Sequence, residues 1–398
     1  MPVKNIIYLL IVIFLSSVFS CKSKSHKKLV TGSHDTVLQF KTGPLSKSDS
    51  LFLNGVAEKW FDKFLKRSNF NGGFLVAKND RVVFEKYSGL ASFPNGDSIS
   101  SNTPFHIASV SKTFTAMAIL KLWQEGKIDI NKSVSNYLDS FNYPGVTVKT
   151  LLNHRSGLPN YLHFMEELNW DKKQFATNKD VFNILVNKKD EIKNIGRPDA
   201  SFNYCNTNYV LLALIIEKVS GMSYPEYIRK NFFNPIGMKH SFVYTPADSG
   251  KITYSFDWKR NLIPMDFLDH TYGDKNIYST PEDILKWDMA LNSNLIFSDS
   301  VLNYAYTPYS NEKPGVRNYG LGWRMNIFPD GKKTVYHNGW WHGNNAVFLR
   351  VPYDNITIIV LGNVYNRSIY KAHEMLSDID SKSNRSEIED INKEGGAL

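Results

Sequence analysis

What most constrains this chain is where its strand-forming sequence lies: two runs stand near the start, four near the end, and a long helix-patterned stretch separates them. Gly73 to Ala77 and Arg81 to Tyr87 flank Lys78-Asn79-Asp80, a tripeptide suited to the tight turn of a hairpin. Gly320 to Ile327, Thr334 to His337, Ala346 to Val351 and Ile356 to Leu361 are short, β-rich and bounded by turn residues. The early hairpin and the late strands are therefore expected to pair into one antiparallel sheet. Leu51 to Phe64, with Leu51, Val56, Trp60, Phe61 and Phe64 at near-helical spacing, predicts a first helix, and about Ile369 to Ile379 a last one. Between about 128 and 290 helical segments broken by Gly and Pro predict a helical lobe, including Tyr209 to Val219 and Pro281 to Leu291, the latter capped by Ser279 or Thr280. The expected architecture is α/β of the α+β type. The first and last helices cover one face of the sheet, the lobe covers the other, and a cleft lies between sheet and lobe.

With 398 residues, 42% hydrophobic and 14% aromatic, the chain can fill a sizeable core in one compact two-lobed unit. The net charge of +9 raises a nucleic-acid role, but Lys and Arg are interspersed with Asp and Glu and no basic arm could track a phosphate backbone. The concentrated patch, Lys22 to Lys28, follows an apolar run from Ile6 to Phe19 that Lys4 precedes, the layout of a secretory signal. That run falls short of the roughly 20 apolar residues of a membrane span. Val18-Phe19-Ser20-Cys21 resembles a bacterial lipobox, which implies cleavage before Cys21 and lipidation of that cysteine; an ordinary signal peptide or an uncleaved anchor is the alternative. Residues 1–20 thus read as a signal peptide, 21–48 as a polar tether, 49–380 as the folded domain and 381–398 as a disordered charged tail. The expected location is periplasmic or cell-envelope, lipid-anchored to a bacterial membrane. A lipidated Cys21 leaves Cys205 without a disulfide partner.

Helical pattern also runs from Ser109 to Gly126, with Phe114, Met117, Leu120 and Trp123 on neighbouring turns. If the helix starts near Ser109, Lys112 stands one turn behind it on the same face, so hydroxyl and amine meet. A serine hydroxyl needs a base to become nucleophilic, and a partly buried lysine can serve. The helix N-terminus adds partial positive charge where an oxyanion would form. Alone, Ser-x-x-Lys is weak: Ser25 to Lys28 repeats it by chance within the tether.

Context strengthens it. Ile107 to Leu120 together with Leu-Leu-Asn-His-Arg-Ser-Gly-Leu-Pro-Asn-Tyr at 151–161 resembles the serine β-lactamase-related and penicillin-binding-protein-like family, on its class C side. Two further stations match in order. Tyr204-Cys205-Asn206 resembles the family's Tyr-x-Asn element, which implies that Tyr204 shares a proton with Lys112 and Ser109 while Asn206 orients Lys112 and meets the substrate amide. His337-Asn338-Gly339 resembles the His-x-Gly form of its Lys-Thr-Gly strand, which implies substrate-carboxylate binding or proton transfer at His337, close acyl approach at Gly339, and an oxyanion hole from the backbone N–H groups of Ser109 and Trp340. The likeness spans Leu51 to Gly362 and takes in Pro235 to Met238, Ser279 to Leu285 and Tyr319 to Trp323. It departs at Trp340-Trp341-His342-Gly343, which suggests a narrowed or aromatic acyl pocket, and at Gly273-Asp274-Lys275-Asn276, where the family has a glycine-rich run. Histidine at 337 in place of lysine weakens the case for β-lactam hydrolysis.

Other chemistries fit less well. No Gly-x-Ser-x-Gly elbow occurs, and Lys333-Thr334-Val335 lacks the glycine of a Lys-Thr-Gly strand. His337 and His342 have no carboxylate or cysteine companion at ligand spacing, so no metal is expected, and no organic cofactor either. His106 and His154 read as structural, Cys205 as core, and Glu282 and Asp283 as helix-capping charges. The expected function is an exported serine hydrolase that forms an acyl-enzyme on amide or ester bonds, of D-Ala-D-Ala-type carboxypeptidase, D-amino-acid peptidase or esterase type. Its partner is a small acyl, D-amino-acid peptide or ester substrate, and no nucleic acid. A β-lactamase is one alternative; a non-catalytic peptidoglycan- or penicillin-binding lipoprotein is another.

Overall fold

The computed structural model describes residues 37–379; Cys21 and the tail beyond residue 380 lie outside the described residues. Helix α1 (Lys47–Trp60) starts where Ser46 accepts the Asp49 N–H, and it buries Leu53, Val56, Ala57 and Trp60. Val56, Trp60 and Phe61 of the expected stripe are buried, but Leu53 takes the place of Leu51, which is 65% exposed. Before the helix, the chain from Val37 is already bound to the body. Leu38 donates to the Pro235 carbonyl at 2.7 Å, Gly43 to that of Asn79 at 3.0 Å, and Arg81 reaches Gly43 at 2.9 Å. The last residues of the expected tether therefore lie against the domain.

Strands β1 (Gly72–Lys78) and β2 (Arg81–Ser88) form the predicted hairpin. Asn79 and Asp80 both adopt left-handed backbone, the requirement of the tight turns that match strand twist. Short strands follow: β3 (Leu90–Ser92) pairs with β4 (Asp97–Ser98), and β5 (Phe105–His106) leads into a 3-10 turn at Ala108–Val110 and then α2 (Ser111–Gln124). The lobe contributes α3 (Val148–Leu152), α4 (Tyr161–Glu167), α5 (Asn178–Asn187), α6 (Asn206–Ser220), α7 (Tyr224–Ile228) and α8 (Asn234–Ile236). Next come β6 (Phe242–Val243), the ribbon of β7 (Ser255–Phe256) and β8 (Leu262–Ile263), and β9 (Ile277–Ser279), which pairs with both β5 and β6. Helix α9 (Pro281–Asn292) is capped by Thr280, since Ser279 belongs to β9; α10 (Asp299–Ala305) closes the lobe.

Late strands β10 (Arg317–Tyr319), β11 (Arg324–Ile327), β12 (Lys333–Trp341), β13 (Asn344–Val351) and β14 (Ile356–Gly362) complete an antiparallel sheet of order β10-β11-β12-β13-β14-β1-β2. The expected strand from Gly320 begins only at Arg324. Gly320 to Trp323 is a turn, with Gly322 in left-handed backbone and its Cα so close to α2 that a Cβ would stand 2.2 Å from that of Ala116. Alternation divides the side chains between two cores. Val335, Ala346, Phe348, Ile359 and Leu361 face the lobe. Tyr336, Val347, Leu349, Ile358 and Val360 face α1 and the C-terminal helices, a 3-10 segment Arg367–Glu374 followed by α11 (Met375–Ile379). The two-faced arrangement expected from the sequence is the one observed. Among the described residues no helix is long and apolar enough to cross a membrane.

Candidate active site

Ser109 sits in the 3-10 turn just before α2, not inside the α-helix. Its predecessor Ala108 has φ +46°, a left-handed conformation that costs an L-residue of order 1–3 kcal/mol and persists only where surroundings enforce it. They do so from two sides. Gly339 on β12 comes so close that a Cβ there would lie 2.4 Å from the Ile107 carbonyl oxygen and 3.1 Å from Ser109 N. Opposite, Ile107 donates to the Ile277 carbonyl at 2.9 Å, and Ile277 N–H donates to Ser111 Oγ at 3.1 Å. The glycine thus has a role beyond acyl access, because it lets the strand press against the serine turn.

Lys112 is fully buried, and its Nζ donates to Ser109 Oγ at 3.1 Å and to the Asp274 carbonyl at 2.8 Å. Tyr204 and Tyr209 present ring faces to the same amine at 5.0 and 5.5 Å from their centroids. Tyr204 lies two residues before Asn206, the first residue of α6, and its ring packs at a tilt against His154, centroids 4.3 Å apart. His337, on the lobe face of β12 with Gly339, has its ring centroid 6.3 Å from that of Tyr204. The serine, lysine, tyrosine and histidine predicted from sequence therefore converge. Asn206 is adjacent but makes no hydrogen bond to Ser109 or Lys112 among the described residues. Cys205 points away, 1% exposed, with its thiol pushed up to about 11 by burial, so it stays protonated and apolar in behaviour.

His337 is neutral. Burial, reinforced by the positive charge of Arg324, holds its pKa well below the ordinary value. A carbonyl can only accept, so Nδ1–H donates to the Asn338 carbonyl at 2.7 Å, leaving Nε2 to accept from the Tyr319 hydroxyl at 3.3 Å. The positive charge that a lysine would bring to this strand is instead supplied from β11. The Arg324 guanidinium carbon lies 5.1 Å from the Tyr204 ring centroid, and its Nε is enclosed with no hydrogen-bond partner. Sequence reading missed Arg324, because only the pairing of Arg324 with Tyr336 brings it beside the His-x-Gly strand. β11 pairs with β12 only as far as Tyr336, so the β11-side edge of His337 to Trp341, with the Trp340 backbone, is not covered by β11.

Trp341 shares the lobe face of β12, while Trp340 is 47% exposed on the other. Trp341 is tied back: its Nε1 donates to Asp269 at 2.5 Å and its ring lies 4.6 Å from Lys275 Nζ. The expected absence of a carboxylate companion for His342 does not hold in space. Asp269, remote in sequence, accepts from His342 Nε2 at 3.0 Å, and Asp266, Asp269 and His342 offer ligand-type atoms within 4.8 Å of one another. Those atoms are already engaged, since Asp269 also accepts from Trp341 and from Asp266 N–H, and Asp266 from Leu268 N–H. Burial alone would raise the Asp269 carboxyl, but hydrogen bonds from His342 and Trp341 keep it below its ordinary value.

A buried lysine touching a half-buried serine, where an antiparallel sheet packs against a helical lobe, defines a serine hydrolase of the β-lactamase fold. The chain belongs to the Beta-lactamase family, whose sequence model matches residues 57–373. Penicillin-binding protein 4* of Bacillus subtilis (strain 168) is 31% identical over 335 residues, 79% of this chain and 74% of that protein. The octameric penicillin-binding protein homologue from Pyrococcus abyssi superposes with a TM-score of 0.70 at 25% identity, covering 84% of this chain and 78% of that one. The D-amino acid amidase from Ochrobactrum anthropi has the same fold, with a TM-score of 0.68 at 21% identity over 83% of this chain and 99% of its own.

Proposed function

We propose that this protein is an exported, lipid-anchored hydrolase that cleaves D-amino-acid peptides ending in a free carboxylate, through an acyl-enzyme on Ser109. The observation that carries the reading is the 3.1 Å contact between the buried Lys112 amine and the Ser109 hydroxyl. As Ser109 Oγ attacks the carbonyl carbon, its proton passes to Lys112, with Tyr204 poised over the same amine. The tetrahedral oxyanion is stabilised by the backbone N–H groups of Ser109 and Trp340. Collapse breaks the C–N bond, and the leaving amine takes up the proton. Water then attacks the acyl carbon and gives its proton to the same base; collapse breaks the C–Oγ bond, frees the carboxyl product, and returns the proton to Ser109 Oγ.

A free carboxylate is favoured by Arg324, a cation beside Tyr204 with an unpartnered Nε, because guanidinium groups recognise carboxylates through paired charge-assisted hydrogen bonds. The name of the Bacillus subtilis relative is consistent with a site that takes penicillin-like mimics of such peptides. A neutral His337 in place of a cationic lysine weighs against efficient β-lactam turnover, the second reading. Export and lipidation at Cys21 rest on the N-terminal sequence. The test is to offer the purified protein a D-Ala-D-Ala peptide, a short-chain nitrophenyl ester and a chromogenic cephalosporin in parallel, with Ser109→Ala as control. Peptide turnover that vanishes in the variant supports the reading. Fluorescent-penicillin labelling that persists in Ser109→Ala moves the nucleophile elsewhere, and labelling without turnover of any substrate marks a binder.

A further inference from the structure

One buried imidazole lies outside the mechanism yet touches its most strained point. The Ala108 backbone N–H donates to His106 Nδ1 at 3.1 Å. An amide N–H only donates, so Nδ1 carries no proton and the ring's hydrogen is on Nε2. From there it meets Asn276 Oδ1 at 2.8 Å. The orientation of Asn276 is fixed in turn, because its Nδ2 donates to the carbonyls of Asp269 at 2.6 Å and Thr271 at 2.7 Å. The donors and acceptors along this line are matched, and His106 and Asn276 are both buried at 2% exposure.

We infer that His106 is a positioning residue, a neutral imidazole locked by Asn276 that holds the peptide between Ala108 and Ser109 so that the Ser109 N–H points into the cleft as an oxyanion donor. The inference rests on Ser109 being the acylated residue. Its physical basis is the left-handed φ of Ala108. Without an acceptor for its N–H, Ala108 loses the one bond made by its own amide against relaxation to ordinary right-handed backbone, which would rotate the following peptide and carry the Ser109 N–H away. Burial lowers the His106 pKa to about 4 against the opposing pull of Asn276, so the required neutral form holds at neutral pH. The segment Gly273 to Ile277 thereby acquires a joint role. Its Asp274 carbonyl receives Lys112, its Asn276 side chain receives His106, and its Ile277 receives Ile107, three bonds that fix base, turn and nucleophile to one another.

The experiment compares acylation of the full chain by a fluorescent penicillin and by a nitrophenyl ester in wild type, His106→Leu and His106→Asn. Leucine fills the space with no acceptor; asparagine can accept the N–H two residues ahead in an Asx turn. The expected result is a drop in kcat of roughly 10²-fold for His106→Leu with KM nearly unchanged, since loss of an oxyanion donor costs about that much. His106→Asn should return to within about tenfold of wild type. Equal rates in wild type and His106→Leu, or two variants equally impaired with melting curves like wild type, overturn the inference. Should His106→Leu not fold, imidazole 15N NMR of the wild type decides. A ring protonated on Nε2 alone at pH 7 supports the assignment, and an Nδ1–H or cationic ring refutes it. Failure of the wild type itself to be labelled at Ser109 refutes the hydrolase mechanism instead, so the two ideas fail separately.

Discussion

At the scale of single residues, the proposed reaction joins groups that are neighbours in the chain to supports drawn from distant parts of it. Ser109 and Lys112 share one helical turn, and Tyr204 and His337 each sit in a short pattern, so local spacing exposes them. Asp274, Asn276 and Arg324 act by contacts that cross the chain: Lys112 meets Asp274 over 162 positions and His106 meets Asn276 over 170. The one available signal was the departure of Gly273 to Asn276 from a glycine-rich run, a stretch whose Gly273 and Asp274 carbonyls accept from Thr115 and Lys112 of the nucleophile helix and whose Asn276 side chain meets His106. Arg324 yields the prediction that belongs at this scale. Removing a hydrogen-bonding group that meets a charged partner costs about 1.5–3 kcal/mol. Arg324→Ala should therefore raise KM for peptides with a free C-terminal carboxylate roughly 10- to 100-fold, while kinetics on carboxyl-amidated analogues stay near wild type. Steady-state assays on matched peptide pairs read this directly, and equal losses on both members would remove Arg324 from substrate recognition.

At the scale of elements, strand and helix identities were visible wherever period and turn residues agreed, as in the hairpin whose Asn79 and Asp80 take left-handed backbone. They were misplaced where close packing decided. Gly320 to Trp323 has strand-like composition, yet the approach of Gly322 to Ala116 bends it into a turn. The same physics governs the junction of β12 with the serine turn. A methyl group at Gly339 would meet the Ile107 oxygen at 2.4 Å, a clash that only movement of strand or turn can relieve. Gly339→Ala is expected to destabilise the protein by about 1–3 kcal/mol, the usual range for overpacking, and to slow Ser109 acylation out of proportion to that loss. Denaturant melts set against labelling rates test the pair of effects. Gly331→Ala, at a site with open space around it but a left-handed backbone that Gly339 does not share, is the control that should lower stability without touching acylation.

At the scale of the whole molecule, the sandwich of sheet between lobe and terminal helices followed from the order of patterns along the chain. What the sequence could not display is how many ionisable groups end up dry. His106 and His373 are held at about 4 by burial, and His154 and His337 well below the ordinary value of 6.5, again by burial first. In the unfolded chain each binds a proton near pH 6.5; folded, each resists doing so. The unfolded state therefore takes up more protons as pH falls, and stability should be full above about pH 7 and decline steadily as pH drops from 6.5 towards 4. Urea melts at pH 7.5, 6 and 5 should show a falling midpoint with a nearly constant slope. A midpoint independent of pH would mean that these imidazoles are solvated.

The order of strands carries one more consequence. β1 lies between β14 and β2, pairing Gly72 with Gly362, so a strand made early in synthesis waits for a neighbour made almost last. Such a long delay before closure keeps the nascent chain loose and slow to fold. That looseness suits the export proposed above, in which the polypeptide would be threaded through a narrow pore before it settles.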